Sequence, residues 1–263
     1  MDPLARALDI ALTRAVELAS ELDNRSWQLP SPLPGWTVGD VVAHLAHLEG
    51  LTNGFDQPEP PPSEPEHPDP LHRFTESGVA ARRVLDRHQV IAELRAATEA
   101  TRGRLGTVVG EEWDRPTTTL VGPGTLRLST QMRVGDVYVH LLDLAQALGL
   151  DPETVRHPEP EAVIVGRAVE LVGWAMVKRA HLDEGTRLHL ELEGPGGVTG
   201  DWAVVDGRGT RVEPGERPDG TIVGSGLAFV LTAGGRTWPP ALCELSVAGA
   251  PAERLMGRFA LFG

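Results

Sequence analysis

Arg133-Val134-Gly135-Asp136-Val137-Tyr138-Val139-His140-Leu141-Leu142-Asp143-Leu144-Ala145-Gln146-Ala147-Leu148-Gly149 reads as most of one helix together with its stop. Helical spacing of apolar residues runs from about Leu128 to Leu148, and Gly149 can take the left-handed conformation that closes a helix. Asp136 and His140 stand four residues apart, so both side chains leave the same face one turn apart. A carboxylate and an imidazole placed this way can share a metal ion or form an ordinary helix ion pair, and spacing alone leaves both open.

Working outward, Leu4, Ala7, Leu8, Ala11, Leu12, Val16 and Leu18 form an apolar stripe that predicts a helix over Pro3 to Leu22. After a Pro- and Ser-rich loop from Leu29 to Gly35, Thr37 with Asp40 three residues on resembles a capping box, with Asp in place of Glu or Gln. That helix is expected to run to about Gly50. Prolines recur too often between Gln57 and Pro70 for a regular element, which predicts an exposed loop. Helical spacing returns over Gln89 to Leu105 and breaks at Gly110 and in the Thr- and Gly-rich stretch Pro116 to Gly124. Four long helices around one core is the economical arrangement.

His44 sits mid-helix in Val41-Val42-Ala43-His44-Leu45, so it faces a largely apolar interior. It is either a neutral core histidine or a third ligand. Ligands of type His, Asp and His from two helices would leave a fourth position for water or substrate, as catalytic zinc sites do, and the donor set also suits other first-row metals. His47, on the same face as His44, is a rival ligand or a solvated residue. Asp143 either orients the His140 imidazole or pairs with Arg133.

Beyond residue 158 the pattern changes. Glu159 to Lys178 predicts another helix, after which Leu188, Leu190 and Leu192 alternate with polar residues. A turn at Gly194 to Gly197 leads to Trp202 to Val205, making a β-hairpin, and a second turn at Asp206 to Gly209 leads to Thr210 to Val212. Thr221 to Val223 and Leu245 to Val247 read as strands, Ser225 as the cap of a helix through Thr232, and Ala252 to Leu261 as a final helix. The expected organisation is a helical bundle over residues 1–155 and a small α+β domain over 156–263, without internal repeats. Trp36, Trp113, Trp202 and Trp238 are expected as core or interdomain anchors.

At 263 residues and 41% hydrophobic composition the chain can bury a substantial core. A net charge of −13 argues against nucleic-acid or anionic-membrane binding. Lys178 is the only lysine, a bias that points to a GC-rich, actinobacterium-like genome. The single cysteine, Cys243, cannot form an internal disulfide and reads as a small core residue. With no signal-peptide pattern and no long apolar run, a soluble cytoplasmic protein is expected. There is no G-x-S-x-G elbow, P-loop or paired C-x-x-C.

The run Leu33-Pro34-Gly35-Trp36-Thr37-Val38-Gly39-Asp40-Val41-Val42-Ala43-His44-Leu45 resembles the signature near the N-terminus of mycothiol-dependent maleylpyruvate isomerases and their DinB-like relatives. The run Arg133 to Gly149 resembles that family's second metal-binding helix. Asp219-Gly220-Thr221, Ser225-Gly226-Leu227, Gly235-Arg236 and Val247-Ala248-Gly249 extend the likeness towards the C-terminus. The resemblance implies a DinB-like four-helix bundle followed by a sterol-carrier-like α+β domain. It implies a metal, usually zinc, on His44, Asp136 and His140, with the departure that the family's carboxylate is typically Glu.

The same resemblance implies mycothiol, a low-molecular-weight thiol, as cofactor, and isomerisation or S-transfer on a small electrophilic substrate as the reaction. Arg236 is then the expected binder of a substrate or cofactor carboxylate, at a site between the two domains. The alternative function is a non-catalytic metal-binding or small-ligand-binding protein of the same fold.

Overall fold

Side-chain caps set the starts of the first six described α-helices in the computed structural model, which describes residues 1–60, 69–119, 121–215, 217–236 and 242–259. Asp2 accepts from the Leu4 amide to open α1 (Pro3–Glu21), and Asp23 caps the short α2 (Asn24–Trp27). Thr37 and Asp40 form the reciprocal capping box of α3 (Val38–Thr52), each side chain bonded to the other's backbone N–H. Asp69 opens α4 (Pro70–Arg83), and Asp86 with Gln89 forms a second box for α5 (Arg87–Gly106). Thr125 caps α6 (Leu126–Leu148), which Gly149 closes at φ 65°.

These helices belong to the first of two compact units, Met1–Pro160. Helix α1 packs on α5 and α6, and α3 packs on α5 and contacts α6, giving the expected four-helix core. Leu8, Leu12, Val41, Leu45, Leu94, Leu141 and Leu144 are fully or nearly fully buried in it.

Helix α4 is a fifth long helix that the periodicity did not reveal. Only its C-terminal half, Gly78–Arg82, is buried, and it packs on α3. The amphipathic signal is therefore short, and it follows the proline-rich segment, of which residues 61–68 lie outside the described ones. The stretch read as a break also holds structure. Strands β1 (Pro116–Thr119) and β2 (Gly122–Thr125) pair antiparallel and deliver the chain to the α6 cap.

The second unit, Glu161–Gly263, contains nearly all of α7 (Pro158–Lys178). It contains strands β3 (Arg187–Glu193), β4 (Thr199–Val205), β5 (Arg208–Val212), β6 (Gly220–Ser225) and β7 (Leu245–Ala248). The sheet order is β5-β4-β3-β6-β7, with β3 and β6 parallel and the other neighbours antiparallel. Helix α8 (Gly226–Ala233) starts at the Ser225 cap. Helix α9 covers Ala250–Met256, so the final helix begins earlier than the sequence suggested and does not include residues 257–259, while the last two residues of the expected helix, 260–261, lie outside the described ones.

Leu188, Leu190, Leu192, Trp202 and Ile222 are buried on one sheet face. At one point α7 comes so close to β5 that a Cβ on Gly173 would lie 2.1 Å from the Gly209 carbonyl oxygen, which restricts both positions to glycine. Cys243 is half-buried rather than a core residue, and Trp238 lies outside the described residues. No described helix is long and apolar enough to cross a membrane.

On the opposite sheet face, His189 Nδ1 lies 2.6 Å from Asp201 Oδ1, and Arg187 Nε donates to Asp201 Oδ2 at 3.0 Å. The bond from His189, reinforced by Arg187, holds the Asp201 carboxyl below its usual range. A depressed folded-state pKa stabilises the fold above the unfolded value of about 3.9 and loses that effect as pH falls through the folded value. The stability gap between wild type and Asp201→Asn should therefore be full near pH 5 and close towards pH 2 in urea titrations at stepped pH; a gap independent of pH would contradict it.

Candidate metal centre

Two helices build the centre. His44 comes from the middle of α3, and Asp136 and His140 come from one face of α6. Each offers one ligand atom, and the three atoms lie within 4.8 Å of one another, so the group could hold a metal ion. His44 Nε2 is 3.3 Å from Asp136 Oδ1, and His140 Nε2 is 3.6 Å from the same oxygen. The two imidazoles meet edge to face, with centroids 4.8 Å apart. The histidines are buried, while the Asp136 side chain keeps 26% exposure and marks the side on which the cluster opens.

The donor set fits a cation. His140 Nδ1 lies 2.9 Å from Asp143 Oδ2 and donates to it, which leaves Nε2 as the ring nitrogen facing Asp136. Of the two roles open to Asp143, it takes the orienting one. Burial pushes the His44 pKa down despite Asp136 nearby, favouring the neutral ring that binds metals. Burial would raise the Asp136 carboxyl, but His44, Arg133 and His140 outweigh it and hold the group well below the usual carboxylate range. His44 Nε2 lies at hydrogen-bond distance from Asp136 Oδ1, where either a proton or a metal ion can lie between the two. His44 Nδ1 is buried with no hydrogen-bond partner among the described residues, so packing against Trp36 and His140 orients that ring.

Three neighbours complete the surroundings. The half-buried Trp36 ring lies 5.3 Å from His44 and 6.5 Å from His140, and its Nε1 donates to Glu76 Oε2 at 2.8 Å. It is thus a wall of the cluster and not simply a core anchor. Arg133 Nη1 donates to Asp136 Oδ2 at 2.8 Å and Arg133 Nε to Glu49 Oε1 at 2.7 Å. Arg133 therefore does not pair with Asp143 as one alternative held, and Glu49 escaped sequence reasoning because its partner is 84 residues away.

His47 is neither a member of the triad nor solvated. It is buried, with Nδ1 2.8 Å from Gln57 Oε1, which also accepts from Arg82 Nη2. Its ring lies over Gly78, where a Cβ would come within 2.2 Å. Arg236 follows α8 in the second unit, half-buried, with Nη1 donating to the Gly234 carbonyl at 3.2 Å.

Residues 8–145, more than half of the chain, match the mycothiol maleylpyruvate isomerase N-terminal domain family. The chain belongs to this family. Across family and non-family segments alike, the chain is similar to a crystal structure of the mycothiol-dependent maleylpyruvate isomerase, at 18% identity and TM-score 0.57. A histidine-to-alanine mutant of that isomerase matches at 18% identity and TM-score 0.55. Both alignments cover 94% of this chain and 93% of the other, and at such identity they speak to the fold alone. No curated protein sequence matches.

The placement of His47 has a measurable consequence. In an open helix Gly78→Ala would gain about 0.5–1 kcal/mol, but here the new methyl meets a buried ring, and overpacking of this kind costs about 1–3 kcal/mol. Denaturant unfolding should therefore show Gly78→Ala to be less stable than wild type; a stabilised variant would show that the ring is loosely seated.

Proposed function

We propose that the chain is a metal-dependent enzyme that uses mycothiol for isomerisation or S-transfer on a small electrophilic substrate. The observation that carries this reading is the convergence of His44, Asp136 and His140, inside the segment that matches the family. Two imidazoles and a carboxylate suit zinc, and as three protein ligands they leave a position for an exogenous group. A divalent ion there would supply an electrophile that lowers the pKa of a bound thiol and yields thiolate at neutral pH.

The chain's own residues do the rest. Asp143 fixes the His140 ring through Nδ1, Arg133 holds one Asp136 oxygen, and Trp36 gives the cluster an apolar wall. Burial raises the Cys243 thiol pKa and so disfavours its thiolate. The thiol of this reading therefore comes from outside the chain. Arg236 is assigned to a carboxylate of the substrate or thiol cofactor, for which a planar guanidinium is suited.

Metal analysis of the purified chain, followed by calorimetry with mycothiol, tests the proposal. Stoichiometric divalent metal and thiol binding are expected, both lost in His140→Ala and after chelation. Asp143→Asn should weaken metal binding about 10–100-fold, and Arg236→Gln should lower kcat/KM on a carboxylate-bearing substrate by about 10–100-fold, the worth of a charged hydrogen bond. Metal retained with no response to mycothiol would leave a metal-binding protein that is not a thiol enzyme.

A further inference from the structure

Beneath the three candidate ligands runs a line of buried polar groups that crosses from α5 through α3 to α6. Thr101 Oγ1 donates to Glu49 Oε2 at 2.9 Å, Glu49 Oε1 accepts from Arg133 Nε at 2.7 Å, and Arg133 Nη1 donates to Asp136 Oδ2 at 2.8 Å. Asn53 Nδ2 steadies the far end, 2.7 Å from Thr101 Oγ1. The Glu49 side chain is 0% exposed and that of Arg133 5%. These charges are out of water, where a buried ion pair often gives no more stability than well-packed apolar side chains would. Arg133 Nη2 is moreover a buried donor with no acceptor among the described residues, a further cost of keeping arginine here.

What the line does for Asp136 is specific. A carboxylate at the edge of a cluster is free to turn about its terminal torsion and to present either or both oxygens. Arg133 takes Oδ2, so Oδ1 is the oxygen left facing His44 Nε2 and His140 Nε2. Glu49 lies on the helix that carries His44, and Arg133 on the helix that carries the other two ligands, so their bond ties the ligand-bearing helices together next to the cluster. The guanidinium charge also draws electron density from Asp136.

We propose that Glu49 and Arg133 form a charged strut that positions Asp136 as a one-oxygen ligand and sets the spacing of the metal centre. Arg133 is thus a positioning residue that acts through Asp136, and the inference rests on the metal reading above.

The test is titration of chelator-stripped full-length protein with Co2+, following visible absorption, in wild type and in the double variant Glu49→Gln with Arg133→Met. The double variant removes both charges together, and the carboxamide oxygen that replaces the Glu49 carboxylate can still accept from Thr101. Arg133→Lys, measured in parallel, keeps a cation beside Glu49 but lacks the fork that holds two carboxylates, and it carries the test if the double variant does not fold.

A folded variant, judged by an unchanged circular dichroism spectrum, is expected to bind Co2+ about 10–100-fold more weakly than wild type and to shift the visible bands. A folded variant with wild-type affinity and spectrum overturns the strut while leaving the metal reading intact. Wild-type protein that takes up no Co2+ overturns the metal reading and the strut with it.

Discussion

Buried charge is the constraint around which the helical unit is organised. Glu49, Arg133 and Asp136 lie in or at the edge of a bundle core otherwise built from Leu, Val and Ala, and their energies balance only because each meets an opposite charge at hydrogen-bond distance. The same requirement governs the second polar layer, where Arg82 on α4 is fully buried and answered by Glu93 on α5. The first layer joins α3 to α6 and the second joins α4 to α5, so charge pairing adds to hydrophobic packing in specifying the register. Sliding one helix past another would separate the pairs and leave charges stranded in an apolar interior.

Much of this was legible in the chain because it depends on neighbours in sequence. Asp136 and His140 share a face by helical period alone, Thr37 and Asp40 announce a capping box, Gly149 a stop and Ser225 a start, and the structure has each of them in place. The alternation of Leu188, Leu190 and Leu192 gave the strand and its buried face. Longer-range features were not legible. Glu49 meets Arg133, Gln57 meets Arg82 and Glu76 meets Trp36 across separations that no periodicity encodes. Helix α4 escaped because it buries only about one turn, although Asp69 before Pro70 is a readable start signal.

The carboxylate at position 136 is the shorter of the two acidic side chains, and its surroundings suit that length. Asp136 lies at the end of a continuous path of hydrogen bonds, and its position is fixed by neighbours on both sides of the bundle. A side chain with one methylene fewer reaches less far but has one fewer torsion to order. That suits a candidate ligand whose second oxygen already accepts from Arg133.

Asp40 carries obligations in two directions. Its Oδ2 accepts from the Thr37 amide at the start of α3, while its Oδ1 accepts from Arg83, whose guanidinium also holds Glu76, the acceptor for Trp36. The first turn of the helix that delivers His44 and the aromatic ring beside His44 are thus moored to one carboxylate. The entry of that helix and the wall of the cluster cannot be adjusted separately, so substitutions at Asp40 are inherited by both, although the residue is itself no member of the His44, Asp136 and His140 cluster.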